Sequence, residues 1–100
     1  MHLTYDIICD IINDMTQRII KDIKKILQSQ KNVSLETLNK ILIFFDYTCR
    51  QPRSGSSHYT FSKSGCKHII TIPFNRPLKE IYVKTVIKLL DLEVWYEKNK

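Results

Sequence analysis

The sequence predicts an α+β domain in which helical segments flank a three-stranded antiparallel meander. Three observations predict it. Isoleucines recur at helical spacing through the first thirty residues. Three short β-prone runs between Tyr47 and Pro73 are separated by small-residue turns. A second apolar helical pattern follows Pro77.

Thr4 to Gln30 reads as one long amphipathic helix. Ile8, Ile11, Ile12, Met15, Ile19, Ile20, Ile23, Ile26 and Leu27 form its stripe. Asp6, Asp10 and Asp14 load its first half and Lys21, Lys24 and Lys25 its second, an order that complements the helix dipole. Lys31-Asn32-Val33 is a break. Ser34 caps a second helix, with Glu36 in its first turn and Leu35, Leu38, Ile41, Leu42 and Phe45 as its buried stripe. It stops near Asp46, because Asp tolerates the left-handed conformation that ends helices.

Tyr47 to Gln51 reads as a first strand closed by Pro52. Ser54-Gly55-Ser56-Ser57 is a turn, and His58 to Lys63 is a second strand. Period-2 alternation puts Tyr59 and Phe61 on one face and His58, Thr60 and Ser62 on the other. Ser64-Gly65 turns the chain into a third strand, Lys67 to Pro73. Turns this short imply an antiparallel meander. Arg76-Pro77 starts a last helix with Ile81, Tyr82, Val86, Leu89 and Leu90 as apolar positions. From Glu93 the chain reads as a tail, in which Trp95 and Tyr96 either extend the helix or fold back on the core; Glu97 to Lys100 is expected to fray. Helices on one face of such a sheet leave the other face open.

One hundred residues suffice for a single self-folding domain. The organisation expected is a helical extension over 1–33, a core over 34–92 and a tail over 93–100. A formal charge of +6 favours an anionic partner. Its distribution says more. Tyr47 to Lys79 holds no Asp or Glu, yet it carries Arg50, Arg53, Lys63, Lys67, Arg76 and Lys79 with His58 and His68, while the flanking segments are nearly balanced. Such a one-sign zone is what phosphate docking requires. Cys9, Cys49 and Cys66 are odd in number and lack Cys-x-x-Cys spacing, which points away from a disulfide framework and toward reducing cytoplasm. No leader pattern or membrane-length apolar run is present, so no membrane partner is expected.

The segment Arg50 to Phe61 concentrates the chemistry. If Tyr59 and Phe61 face the helices, His58 points outward among basic groups. Imidazole changes charge near neutral pH and serves as general base or acid. Taking a proton from a ribose 2′-OH lets that oxygen attack the adjacent phosphate, and Arg and Lys stabilise the developing charge. DNA lacks the 2′-OH and is not cut this way. Gly55 lets the backbone approach a phosphate, and Ser56 and Ser57 donate hydrogen bonds. The region has no carboxylate cluster to hold a metal, and no cofactor is called for. His58 is therefore the candidate catalytic residue, and Arg50, Arg53, Gly55, Ser56, Ser57, Lys63 and Lys67 are the candidate substrate-binding residues. The residues alone also fit a hairpin whose histidine is merely solvated. A zinc site from His58, Cys66 and His68 matches poorly for want of paired spacing. Cys66 as a nucleophile with His68 as its base, and Tyr82 or Trp95 as stacking platforms, are weaker readings than incidental or core placement.

Gly55-Ser56-Ser57-His58-Tyr59-Thr60-Phe61 resembles the HicA family, small ribonuclease toxins of bacterial type II toxin–antitoxin pairs. The resemblance runs from about Ser34 to Leu90, with Arg50-Gln51-Pro52 before the turn, Ile70-Thr71-Ile72-Pro73 in the third strand and Leu78 to Leu90 in the closing helix. Many members have Gly where this chain has Asp46, and a shorter Gly-Ser-His turn where it has Ser56-Ser57. The resemblance implies a dsRBD-like α-β-β-β-α core, here preceded by an extra long helix. It implies metal-independent cleavage of messenger RNA with His58 as the catalytic residue. It also implies a HicB-type antitoxin that covers the His58 face. The N-terminal helix lies outside that core and either docks on it, forms a homodimer or helps bind the antitoxin. Two alternatives stand beside the ribonuclease: a non-catalytic RNA-binding module of the same fold, and a protein-interaction domain built on the first helix.

Overall fold

The computed structural model describes residues 2–51 and 57–100, with side chains from Asp14 onward. Among these residues the chain forms four helices and a three-stranded antiparallel sheet. The order is α1 (His2–Gln28), α2 (Leu35–Phe44), β1 (Thr48–Arg50), β2 (His58–Ser62), β3 (Ile70–Pro73), α3 (Glu80–Leu89) and α4 (Leu92–Asn99). The strands lie in chain order, as expected of a meander.

Side-chain and backbone caps set the helix boundaries. The Gln30 side-chain amide donates to the Ile26 carbonyl at 2.7 Å and so satisfies an orphan acceptor at the end of α1. Asn32, at φ 57°, then turns the chain. Ser34 caps α2 by accepting from the Thr37 backbone N–H at 3.2 Å. At the other end Asp46 sits at φ 70°. Its N–H donates to Ile43 and that of Tyr47 to Leu42, both at 3.0 Å. This is a Schellman closure with Asp in the place usually held by Gly. Asp46 thus supplies the left-handed helix stop expected of it.

The core lies between the sheet and the helices. Ile23, Leu38, Ile41, Leu42, Phe61, Ile72, Val83, Val86 and Leu92 are fully buried. The second half of α1 is part of this core through Ile19, Ile23 and Ile26, so the N-terminal helix docks on the domain. Ile8, Ile11 and Ile12 lie outside the described side chains, and Met15 is exposed.

Several elements differ from expectation. The third strand begins at Ile70, and Lys67, His68 and Ile69 lie outside the ladder, with Ile69 exposed. The helix after Pro77 begins at Glu80, and its buried positions are Val83 and the expected Val86; Ile81 is 66% exposed. The tail is a fourth helix that extends to Asn99. Asp91, at φ 53°, reverses the chain after α3 so that Leu92 is buried. Trp95 then meets Phe44 and Phe45 edge-on, at centroid distances of 5.8 and 5.4 Å. These aromatic contacts hold the helix where fraying was expected.

Burial separates two residues that apolar periodicity treats alike. Ile23→Ala is expected to lower stability by about 2–5 kcal/mol, because it leaves a cavity. Ile81→Ala is expected to change it by less than about 0.5 kcal/mol. Urea unfolding followed by circular dichroism measures both; equal losses would contradict the placement of α3.

Candidate functional site

The site begins with the pairing of β2. Phe61 lies opposite Cys49 on one side and Ile70 on the other, and Tyr59 lies opposite Ile72. These residues face the helices. Alternation therefore sends His58, Thr60 and Ser62 to the open face. The register adds Thr48 and Arg50 from β1 and Thr71 from β3 to that same face. Thr48, Arg50, His58, Ser62 and Thr71 are exposed, and Thr60 is half-buried. Arg50 is directly across from Thr60, which makes it the diagonal neighbour of His58 on one surface.

His58, Arg50 and Ser57 therefore gather at one end of the sheet. Ser57 is anchored there: its carbonyl accepts from the Phe74 N–H at 2.7 Å. Arg53, Gly55 and Ser56 lie outside the described residues. Lys63 and Lys67 belong to the opposite end. Lys63 follows the last residue of β2, five positions from His58, or roughly 17 Å along a strand. Its ammonium lies 5.8 Å from the centroid of the Tyr47 ring. His68 is in the same β2–β3 connection as Lys67. Tyr59 faces away from His58. The geometry thus makes Lys63, His68 and Tyr59 poor proton donors to a group held by His58. It also separates His58 from Cys66 and His68 as zinc ligands. Among the described residues no three His, Cys, Asp or Glu side chains converge as metal ligands.

The opposite end has its own chemistry. Tyr47 is buried and shares a hydrogen bond with Cys66. Burial, followed by the hydrogen bond and charge interaction with Cys66, raises the Tyr47 phenol above its ordinary 10.0. Burial likewise pushes the Cys49 thiol above 9.0 on the core side of β1. Cys49 and Cys66 are both free thiols.

Period-2 reasoning finds His58 and Thr60. It misses Thr71, because only the strand register brings that hydroxyl beside them. Among the described residues no helix is long and apolar enough to cross a membrane. Comparison with protein-family models, with curated proteins and with solved structures gives no match.

The raised Tyr47 pKa makes a testable statement about stability. The folded chain holds this proton to higher pH than the unfolded chain, which releases it near 10. The contribution is full below that value and is lost as the pH rises through the raised folded pKa. Denaturant midpoints of wild type should therefore fall more steeply above pH 10 than those of Tyr47→Phe. Parallel profiles would contradict this.

Proposed function

We propose that the domain is a metal-independent endoribonuclease that cleaves messenger RNA, with His58 as general base. The observation that supports this reading best is the placement of His58 on an exposed sheet face beside Arg50, Thr60 and Thr71, within a segment free of acidic residues. The face offers a cation and hydroxyl donors to a phosphodiester, and an imidazole to the adjacent ribose. His58 takes the 2′-OH proton. The 2′ oxygen attacks phosphorus, the P–O5′ bond breaks, and the freed 5′ oxygen takes a proton from water. The products are a 2′,3′-cyclic phosphate and a 5′-OH end.

The α2-β1-β2-β3-α3 order agrees with a dsRBD-like core, and the HicA resemblance around Gly55 to Phe61 points to the same chemistry. On this reading the chain is the toxin of a type II toxin–antitoxin pair acting in the cytoplasm. A HicB-type antitoxin silences it by covering the His58 face. The second reading is an RNA-binding module without catalysis, favoured by the separation of Lys63 and His68 from His58, which places these two candidate acids out of its reach.

Cleavage of RNA in excess EDTA tests the proposal. His58→Ala is expected to lower the rate by about 10²–10⁴-fold, with unchanged circular dichroism. Lys63→Ala should cost much less, because Lys63 lies at the far end of β2. A folded wild type that binds RNA in low salt without cutting it would favour the binding module. Equal losses from both variants at unchanged stability would contradict the assignment.

A further inference from the structure

Beside its imidazole, the open face of the sheet is a field of hydroxyls. Thr48, Thr60, Ser62 and Thr71 stand on it with Arg50 and His58. The ladder brings two of these hydroxyls together. The Phe74 N–H donates to the Ser57 carbonyl, which makes residues 57 and 74 a hydrogen-bonded pair. Pairs alternate along an antiparallel ladder, so Tyr59 and Ile72 repeat that kind and Thr60 and Thr71 form the other. In the other kind the opposed Cα atoms are only about 4.5 Å apart and the side chains stand closer. Arg50, Thr60 and Thr71 thus make one row across the three strands, next to His58.

Two properties give this row a chemical preference. The first is its free hydrogen-bonding capacity. The hydroxyls of Ser34 and Thr85 serve helix backbone. Among the described residues, those of Thr60 and Thr71 engage no protein group. Each of these hydroxyls both donates and accepts. A phosphate oxygen only accepts, and the Arg50 guanidinium suits it. A ribose 2′-OH donates and accepts, which two neighbouring hydroxyls match. The second property is the lack of a broad stacking surface. Tyr59 and Phe61 face the helices, and Trp95 is engaged by Phe44 and Phe45. Among the described residues the open face carries no Phe, Tyr or Trp, and such rings are the platforms on which unpaired bases stack. The face therefore suits the backbone of a nucleic acid better than its bases.

We infer that Thr60 and Thr71 read the ribose 2′-OH of the nucleotide next to the cleaved linkage, so that the open face selects RNA over DNA at binding as well as in the chemical step. His58 and Thr60 are two residues apart on one face of β2, or roughly 6.8 Å along the strand. That spacing is comparable with the step between successive riboses. A ribose held at His58 for proton removal therefore places its neighbour over Thr60 and Thr71, with the phosphate between them toward Arg50. A deoxyribose in the same place sets a C–H group against both hydroxyls and strips their water without replacing it. The inference rests on the RNA reading above and names the group of the RNA that this row takes.

Fluorescence anisotropy tests this in His58→Ala, which holds RNA uncut. The probes are a short labelled RNA and the deoxy oligonucleotide of the same sequence with uracil in place of thymine, so that only the 2′-OH differs. The RNA is expected to bind at least about fivefold more tightly. Adding Thr60→Val and Thr71→Val removes both hydroxyls and keeps β-branched side chains on the strands. The ratio should then fall to about one through loss of RNA affinity, at unchanged circular dichroism. Thr71→Ser in place of the valines keeps the hydroxyl and should retain the preference. Arg50→Ala should weaken both ligands alike and lower their salt dependence. A ratio near one in His58→Ala overturns the inference, as does an unchanged ratio in the valine variant. Equal loss of RNA and DNA affinity in that variant also overturns it, and gives the hydroxyls to phosphate. Binding of neither ligand ends both the RNA reading and this inference. A wild type that cuts no RNA, with the preference and its loss in the valine variant both observed, refutes the nuclease and leaves the inference standing.

Discussion

Burial of Phe61 in the middle strand is the constraint on which the sheet depends. The residue is fully enclosed, with Cys49 and Ile70 opposite it on the two neighbouring strands. Side chains alternate along a strand, so this one anchor decides what every neighbour faces. A slip of one residue would bring His58 into the core and turn Phe61 to water. The catalytic proposal and the packing of the core are in this sense two consequences of one register.

The helices form the complementary half of the core. Among the described residues α1 contributes Ile19, Ile23 and Ile26 from its second half. The Schellman closure at Asp46 ends α2 and delivers Tyr47 to a buried position at the start of the sheet. The left-handed Asp91 plays a similar part after α3. It returns α4 to the domain, where Trp95 completes an edge-to-face cluster with Phe44 and Phe45. Two aspartates in the conformation usually reserved for glycine thus direct the path around the core.

The two sides of β2 then divide the chemistry. One side is open, hydroxyl-rich and basic, which suits a phosphodiester. The other borders a cleft lined by Glu36, Asn39, Arg76 and the tilted rings of Tyr59 and Phe74. The basic zone extends past both surfaces, because Arg50 belongs to the first and Arg76 to the second. Lys63 and Lys67 remain at the distant end, where Lys63 covers the Tyr47 ring. Proximity in a basic segment of sequence therefore does not translate into one continuous binding site.

Much of this organisation is legible in the amino-acid sequence. Strict alternation through His58 to Ser62 identifies the exposed and buried faces of the middle strand, since side-chain direction in a strand is a local property. Ser34 and Asp46 mark the ends of α2 because capping is equally local. Other features require contacts between distant parts of the chain. The third strand is shorter than its β-branched composition suggests, because a strand extends only as far as its partner supplies hydrogen bonds. Ile81 fits a helical stripe, yet the packed arrangement buries Val83. The tail is helical because Trp95 finds Phe44 and Phe45, which are remote from it in sequence. The cleft around Asn39 joins α2, β2 and the segments after β1 and β3, so no local pattern announces it. By itself the sequence determined the order of the first six elements, the caps of α2 and the outward direction of His58, all of which follow from nearest-neighbour geometry. Tertiary structure alone decided strand length, the return of α4, the separation of Lys63 from His58 and the assembly of the cleft, because each depends on which remote surfaces exclude water together.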